Sequence, residues 1–189
     1  GYDLHVVRSI RPKYIDQQSH ASGFSWSRME EMLDLVTSGK YEWVWCVGAD
    51  TLITNMTIAL DEIIACAETS EAMRMPLPAA PVRDVRLPPP KVITWHPSPN
   101  HKTFGKKHLL ICGECLTSIQ ADSFIVRGSP QGADYLRDIL AQYELYKHHP
   151  WVENQAMIDL RDKHAAITHI VPAWKMNAYD CSRWHHAHA

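Results

Sequence analysis

The chain has 189 residues, 46% of them hydrophobic, enough to bury a sizeable core as one domain over 1–189. Lys plus Arg number 19 against 21 Asp plus Glu, a formal charge of −2, which argues against a nucleic-acid surface and leaves any anion site to be local. No apolar stretch approaches the roughly 20 residues that span a bilayer, and no secretory leader precedes Gly1, so no membrane span is expected in this chain.

The first clear periodicity predicts a helix over Ser27–Ser38, with Ser27 and Glu30 as a capping box and Gly39 as its stop. Met29, Met32, Leu33 and Val36 form its apolar stripe and read as core. Arg28 falls in the predicted first turn, where unpaired amides and the positive helix end favour anions. It is a candidate to contact a diphosphate, or else a surface arginine.

The run Tyr41–Asn55, YEWVWCVGADTLITN, is the most informative in the chain. Trp43 to Val47 is apolar without alternation, which predicts a central strand buried on both faces. Gly48, Ala49 and Asp50 close it. Ligands of open α/β sheets bind outside the carboxyl ends of strands, so Asp50 is placed where a nucleotide would be handled, and such a turn can hold a phosphate and a metal. The plainer alternative is that Asp50 only closes a strand-to-helix turn. A helix over about Thr57–Ala67 follows, and Asn55, Met56 and Thr57 form a glycosylation sequon against the proposed site.

Eight of the twelve prolines lie between 76 and 99, which marks a loop that is either a rigid connection or, at Leu87–Lys91, a polyproline ligand. A strand is expected at Lys91–Trp95, and His96–Lys107 reads as a polar excursion on the acceptor side of a cleft. Leu109, Leu110 and Ile111 lead into Cys112 and Cys115, a hairpin with reduced thiols, or half of a zinc site completed by Cys181 and His185. Five cysteines, an odd number, favour a reducing compartment such as the cytoplasm.

The strand Ser118–Val126 puts Gln120 and Asp122 on one face, either lining a cleft or facing solvent at a sheet edge. A helix over Pro130–Tyr146 is expected, with Leu136, Leu140 and Tyr143 inward, then another over Trp151–Lys163. Glu153, Asn154 and Gln155 open that second helix, where they could read sugar hydroxyls; a first-turn acid satisfying the dipole is the alternative for Glu153.

Several of these segments, in this order, resemble those of GT-A-fold nucleotide-sugar glycosyltransferases, particularly the family of plant xyloglucan xylosyltransferases and yeast galactosyl- and mannosyltransferases. WCVGADTLI is similar to that family's aromatic strand running into Asp-Ala-Asp-Thr-Leu-Ile, with Gly48 where the first aspartate stands. Gly1 to Asp3 resemble its His-Gly-Tyr-Asp, followed by a strand over Leu4–Arg8, and Trp26 to Arg28 its Trp-Ser/Ala-Lys. QADSFIVRGS over 120–129 resembles Asn-x-Gly-x-Phe-Leu-Ile-Arg-Asn-Ser, with Gln120 replacing Asn and Asp122 replacing Gly. Glu153 to Gln155 resemble an acidic-acidic-Gln motif on the donor sugar, and KMNAY at 175–179 a Met-Asn-x-Tyr segment containing Asn177.

The resemblance implies a mixed, mainly parallel sheet of GT-A (Rossmann-like) type flanked by helices. It also implies a hexosyl- or pentosyltransferase acting with retention on a uridine or guanosine diphosphate sugar and a carbohydrate acceptor. The acids would hold Mn²⁺ or Mg²⁺ across the donor's phosphates, with His185 or His186 as a further ligand. Gln120, Asp122 or Gln155 would stabilise the sugar cation. The family's first strand precedes the His-Gly-Tyr segment, so the present sequence would lack it unless a partner chain supplies it. Gly48 keeps open a catalytically inactive nucleotide-sugar or carbohydrate binder, and the cysteines a zinc-stapled interaction module.

Overall fold

The computed structural model describes residues 2–15, 20–48, 59–68, 109–113 and 119–171. The Pro-rich stretch 76–99, the strand expected at Lys91–Trp95, and Ala49, Asp50, Cys115, Asn177, Cys181, His185 and His186 lie outside those residues.

In chain order the elements are a 3₁₀ turn at Pro12–Tyr14, α1 (His20–Thr37), β1 (Trp43–Val47), α2 (Leu60–Glu68), β2 (Leu109–Gly113), β3 (Ile119–Arg127), α3 (Pro130–Ala141), α4 (Tyr143–Tyr146), α5 (Val152–Leu160) and β4 (Thr168–Val171). The four strands form one sheet in the order β1-β3-β2-β4. β3 runs antiparallel to both β1 and β2, and β2 runs parallel to β4. The sheet is thus mixed, but the expectation that it is mainly parallel fails among the described strands. β2 and β3 are the arms of a hairpin, with Gly113 opposite Ile119, and so short a connection can join only antiparallel neighbours.

The expectation that β1 is buried on both faces is also corrected. Val44 and Cys46 are buried while Trp43 and Trp45 are half-buried and Val47 is exposed, and among the described residues β1 pairs only with β3. The tryptophans carry the outer face: Arg127 stacks over Trp43, and Trp45 Nε1 donates to Ser123 Oγ at 3.2 Å. The inner face, Val44 and Cys46 opposite Val126 and Phe124, belongs to the main core with Trp26, Met29, Leu136 and Met157.

α1 starts well before the expected Ser27. Ser27 is fully buried in mid-helix, where its Oγ accepts from the Arg11 amide at 2.8 Å, so it is not an N-cap. Gly23 explains how the helix extends past small residues that read as a loop: a Cβ there would stand 2.7 Å from the Tyr14 carbonyl, so only glycine lets the 3₁₀ turn pack this closely. The stop is as expected, with Gly39 at φ +70 just past Thr37. Met29, Met32 and Val36 are buried core, as their spacing indicates.

α3 begins at Pro130, with Ser129 Oγ accepting from the Gly132 amide at 3.1 Å as an N-cap. The single expected helix to Tyr146 is interrupted at Gln142, which separates α3 from the one-turn α4. The expected strand at Leu4–Arg8 is not formed. That segment has no ladder partner among the described residues; it is tied by side chains, Tyr41 Oη to Asp3 at 3.1 Å and His5 to Glu31 at 3.3 Å, and leaves Leu4 exposed.

Candidate functional site

Three elements far apart in sequence meet at one guanidinium. Arg28 projects from the middle of α1, donates from Nη1 to Asp122 Oδ1 on β3 at 3.1 Å, and from Nη2 to Glu153 Oε1 on α5 at 2.6 Å. Glu153 has only 5% of its side chain exposed, against 17% for Arg28 and 47% for Asp122. The cluster therefore runs from the core outward, with Asp122 at the mouth.

A buried carboxylate survives only with a partner, and Arg28 provides a fixed fork of donors for two of them. Burial pulls the Arg28 pKa down, but the negative groups around it outweigh that and leave it raised. Cys46, on the inner face of β1, is buried beside the same guanidinium; burial pushes its thiol up to about 11 although Arg28 pulls it down. It is a neutral thiol at pH 7, so the two carboxylates are the neighbours that matter for Arg28. One guanidinium against two carboxylates leaves the cluster one negative charge in excess.

The turn that follows β1 enters the site through its backbone. The Gly48 amide donates to the Asp122 carbonyl at 2.8 Å, continuing the antiparallel ladder beyond Val47 opposite Ser123. Gly48 and Asp122 therefore face one another across the strands. On the other side, α5 opens with Val152 at φ +40, a left-handed conformation that costs a β-branched residue of order 1–3 kcal/mol. That strained residue immediately precedes Glu153 and sets the direction from which its side chain enters the core.

Two polar atoms on α1 and α5 are buried without a hydrogen-bond partner among the described residues, Arg28 Nε in the cluster and Asn154 Oδ1 on the residue after Glu153. Such orphans are costly in a closed core and are commonly satisfied by a ligand or a water. Gln155 is turned elsewhere, donating from Nε2 to Asp159 Oδ1 at 2.8 Å. Gln120 lies two residues before Asp122 on β3, half-buried. Of the residues singled out from sequence, the structure thus brings together Arg28, Gly48, Asp122 and Glu153, with Asn154 adjacent.

The first-turn argument for Arg28 does not hold, since it sits mid-helix and far from the free amides of the α1 N-terminus. Sequence reasoning missed the Arg28–Asp122–Glu153 link and the approach of Cys46. Among the described residues no group of three His, Cys, Asp or Glu side chains is arranged to hold a metal, and both carboxylates are taken up by Arg28. The suggested zinc set cannot be traced, because Cys115, Cys181 and His185 lie outside the described residues and only the backbone of Cys112 is placed, in β2.

No curated protein and no solved structure matches the chain. The sequence model of the galactosyl transferase GMA12/MNN10 family matches residues 1–187, nearly the whole length, and the chain therefore belongs to that family of glycosyltransferases.

Proposed function

We propose that this glycosyltransferase works as a single GT-A-type domain, with retention at the anomeric carbon, and that Arg28, Asp122 and Glu153 form the donor-sugar end of its site. The family implies a nucleotide-sugar donor. The observation that carries the proposal is the Arg28 fork: it joins segments at 28, 122 and 153 that were each singled out separately in sequence.

The chemistry follows from charge. When a sugar leaves a nucleoside diphosphate, positive charge develops at the anomeric carbon and negative charge on the departing phosphate. A preorganised cluster with one excess negative charge stabilises the first. Arg28 holds Asp122 and Glu153 in place, so little reorganisation is needed as that charge appears. In a retaining transfer the acceptor hydroxyl arrives on the face the diphosphate leaves, and the leaving oxygen takes its proton. The cluster residues then stabilise and orient; none of them has to attack. Asn154, next to Glu153 in sequence, would offer its unpartnered Oδ1 as an acceptor for a sugar hydroxyl if α5 turns it toward the donor.

Metal dependence is proposed through Asp50, with His185 as a further ligand; hard carboxylate oxygens suit Mn²⁺ or Mg²⁺. Both residues lie outside the described residues. The expected result is that Asp50→Asn abolishes the Mn²⁺-dependent part of donor affinity in titration calorimetry while circular dichroism stays unchanged. Unchanged metal-dependent affinity would reject Asp50 as a ligand.

The decisive test of the site is Glu153→Gln assayed against a panel of uridine and guanosine diphosphate sugars, with product stereochemistry read by NMR. Turnover should fall on the order of 100-fold, as for loss of one preorganised electrostatic group. A folded Glu153→Gln protein with wild-type turnover, or a product of inverted configuration, would refute this reading of the cluster.

A further inference from the structure

We infer that the carboxylate at the mouth of the site has changed strands in this chain: Asp122 on β3 binds a hydroxyl of the donor from the space that a side chain at position 48, at the end of β1, would otherwise enter. The inference rests on the donor-binding reading above and adds to it the residue that reads a hydroxyl of the nucleotide-sugar donor.

Four observations converge. Relative to the pattern that the sequence resembles, Asp and Gly are exchanged between positions 48 and 122. The structure makes those positions direct cross-strand neighbours through the 2.8 Å bond from the Gly48 amide to the Asp122 carbonyl. Facing residues in such a pair have Cα atoms about 5.5 Å apart and side chains on the same face. A carboxylate on either one therefore reaches the same space, and with glycine at 48 the Asp122 carboxylate does not meet a facing side chain.

The third observation is exposure. Asp122 follows the same β3 face as Phe124 and Val126, both fully buried, yet remains 47% exposed. It stands where that face opens. The fourth is its fixation: Arg28 engages Oδ1 at 3.1 Å while its other nitrogen is anchored on buried Glu153 at 2.6 Å. A carboxylate oriented this way is a ready acceptor for a hydroxyl, and the guanidinium it shares with Glu153 offsets part of its charge. The oxygen held by Arg28 is no longer free for a divalent cation, which favours the hydroxyl over the metal as its ligand here. Gly48 can receive a side chain without conformational strain, since it continues an extended ladder and Gly39 is the positive-φ glycine among the described residues.

The test is an exchange. Asp122→Gly, Asp122→Asn and the double variant Gly48→Asp/Asp122→Gly are compared with wild type for kcat/KM on uridine and guanosine diphosphate sugars. Thermal shifts with the same sugars and with bare UDP and GDP are recorded in Mn²⁺ and in EDTA. Asp122→Gly should lose on the order of 100-fold in kcat/KM, Asp122→Asn roughly 10-fold, and the double variant should return to within about 10-fold of wild type. A purely structural Asp122 gives no rescue, because an acid at 48 restores neither the β3 residue nor its place in the Arg28 bridge.

Loss of thermal shift with bare nucleotides as well as with sugars assigns the hydroxyl to the ribose, and loss with sugars alone to the transferred sugar; either supports the inference. Two results overturn it: a folded double variant no better than Asp122→Gly, or an Asp122→Asn defect present in Mn²⁺ and absent in EDTA, which makes the acid a metal ligand. If wild type itself neither shifts with nor turns over any of these donors, the donor-binding reading falls and this inference with it. If wild type responds and Asp122→Gly and Asp122→Asn respond equally well, only the exchange is wrong.

Discussion

Two arginines in this protein each bridge acidic side chains, and their surroundings give the bridges different meanings. Arg11 reaches back to α1 and contacts Glu30, Glu31 and Asp34, with distances of 3.4, 2.7 and 2.5 Å. Those acids lie on one helix and keep 17, 27 and 59% of their side chains exposed. Arg28 has fewer partners, but they come from β3 and α5, and Glu153 is 5% exposed. Both guanidinium pKa values are raised, at Arg11 chiefly by its hydrogen bond to Asp34 and at Arg28 by surrounding negative groups working against burial. The difference is the consequence of losing the partner. Without Arg11, Glu30 keeps Lys13 at 2.6 Å and water can reach Glu31 and Asp34, whereas Glu153 would be stranded in the core.

That contrast sets the largest predicted effect. Arg28→Met should destabilise the fold by about 3–5 kcal/mol, the usual result of leaving one half of a buried ion pair, while Arg11→Met should cost no more than about 1 kcal/mol per exposed pair. Urea denaturation of both variants makes the comparison directly. Equal costs would mean that Glu153 finds solvent or protonates without penalty, and the case for a preorganised cluster would weaken accordingly. The double variant Arg28→Met/Glu153→Leu sharpens the point. It should recover much of the stability and none of the turnover, because an apolar pair of similar volume can replace a buried bridge but cannot carry its charge.

How much of this could be read from the sequence follows the range of the interactions. The bounds of β1 at Trp43–Val47, of β3 within a residue, and the start of α3 at Pro130 are legible in the sequence, because each is announced by local pattern. The start of α1 was misplaced because Ser27 and Glu30 satisfy a capping pattern while tertiary packing, Gly23 against Tyr14, continues the helix upstream. β4 is not announced in the sequence: three of the four residues Thr168–Val171 are β-branched, but so short a run carries little signal. The site residues Arg28, Gly48, Asp122 and Glu153 were all selected from sequence, but their mutual geometry was not. The pairs are 94 and 125 residues apart, and no local periodicity encodes a bridge of that separation.

A second, smaller effect probes α5 beyond the cluster. Gln155 stands two residues beyond Glu153 on α5, yet its amide is engaged by Asp159 and not by Arg28. If it reads the donor sugar with its remaining acceptor, Gln155→Ala should lower turnover on the order of 10- to 100-fold, about 1.4–2.8 kcal/mol, with bare nucleoside diphosphate affinity nearly unchanged. Stability should barely move, in contrast with Arg28→Met. Equal loss of sugar and bare-nucleotide affinity would place Gln155 outside the sugar subsite.

The smallest effect comes from a third ionic cluster, intermediate between the two arginine bridges. Asp138 on α3 accepts from Lys163 at 2.6 Å and pairs with His164 at 2.7 Å, and His164 packs edge-on against buried Tyr135. Burial is the largest single influence on Asp138 and pushes its carboxyl up, but Lys163 and His164 together outweigh it through hydrogen bonds and charge and hold the carboxyl below its ordinary value. Because the folded-state pKa is lowered, the unfolded chain binds a proton first as pH falls. The stabilisation is therefore fully present above the unfolded value of about 4 and is lost as pH drops through the folded value. Asp138→Asn should cost about 1 kcal/mol at pH 7, a partly exposed network being worth little more. The gap in Tm between wild type and variant should hold from pH 7 to about pH 5 and close below about pH 4. A gap that persists at pH 3 would show that Asp138 acts through packing and not through charge, and that partial exposure had already removed what burial preserves at Glu153.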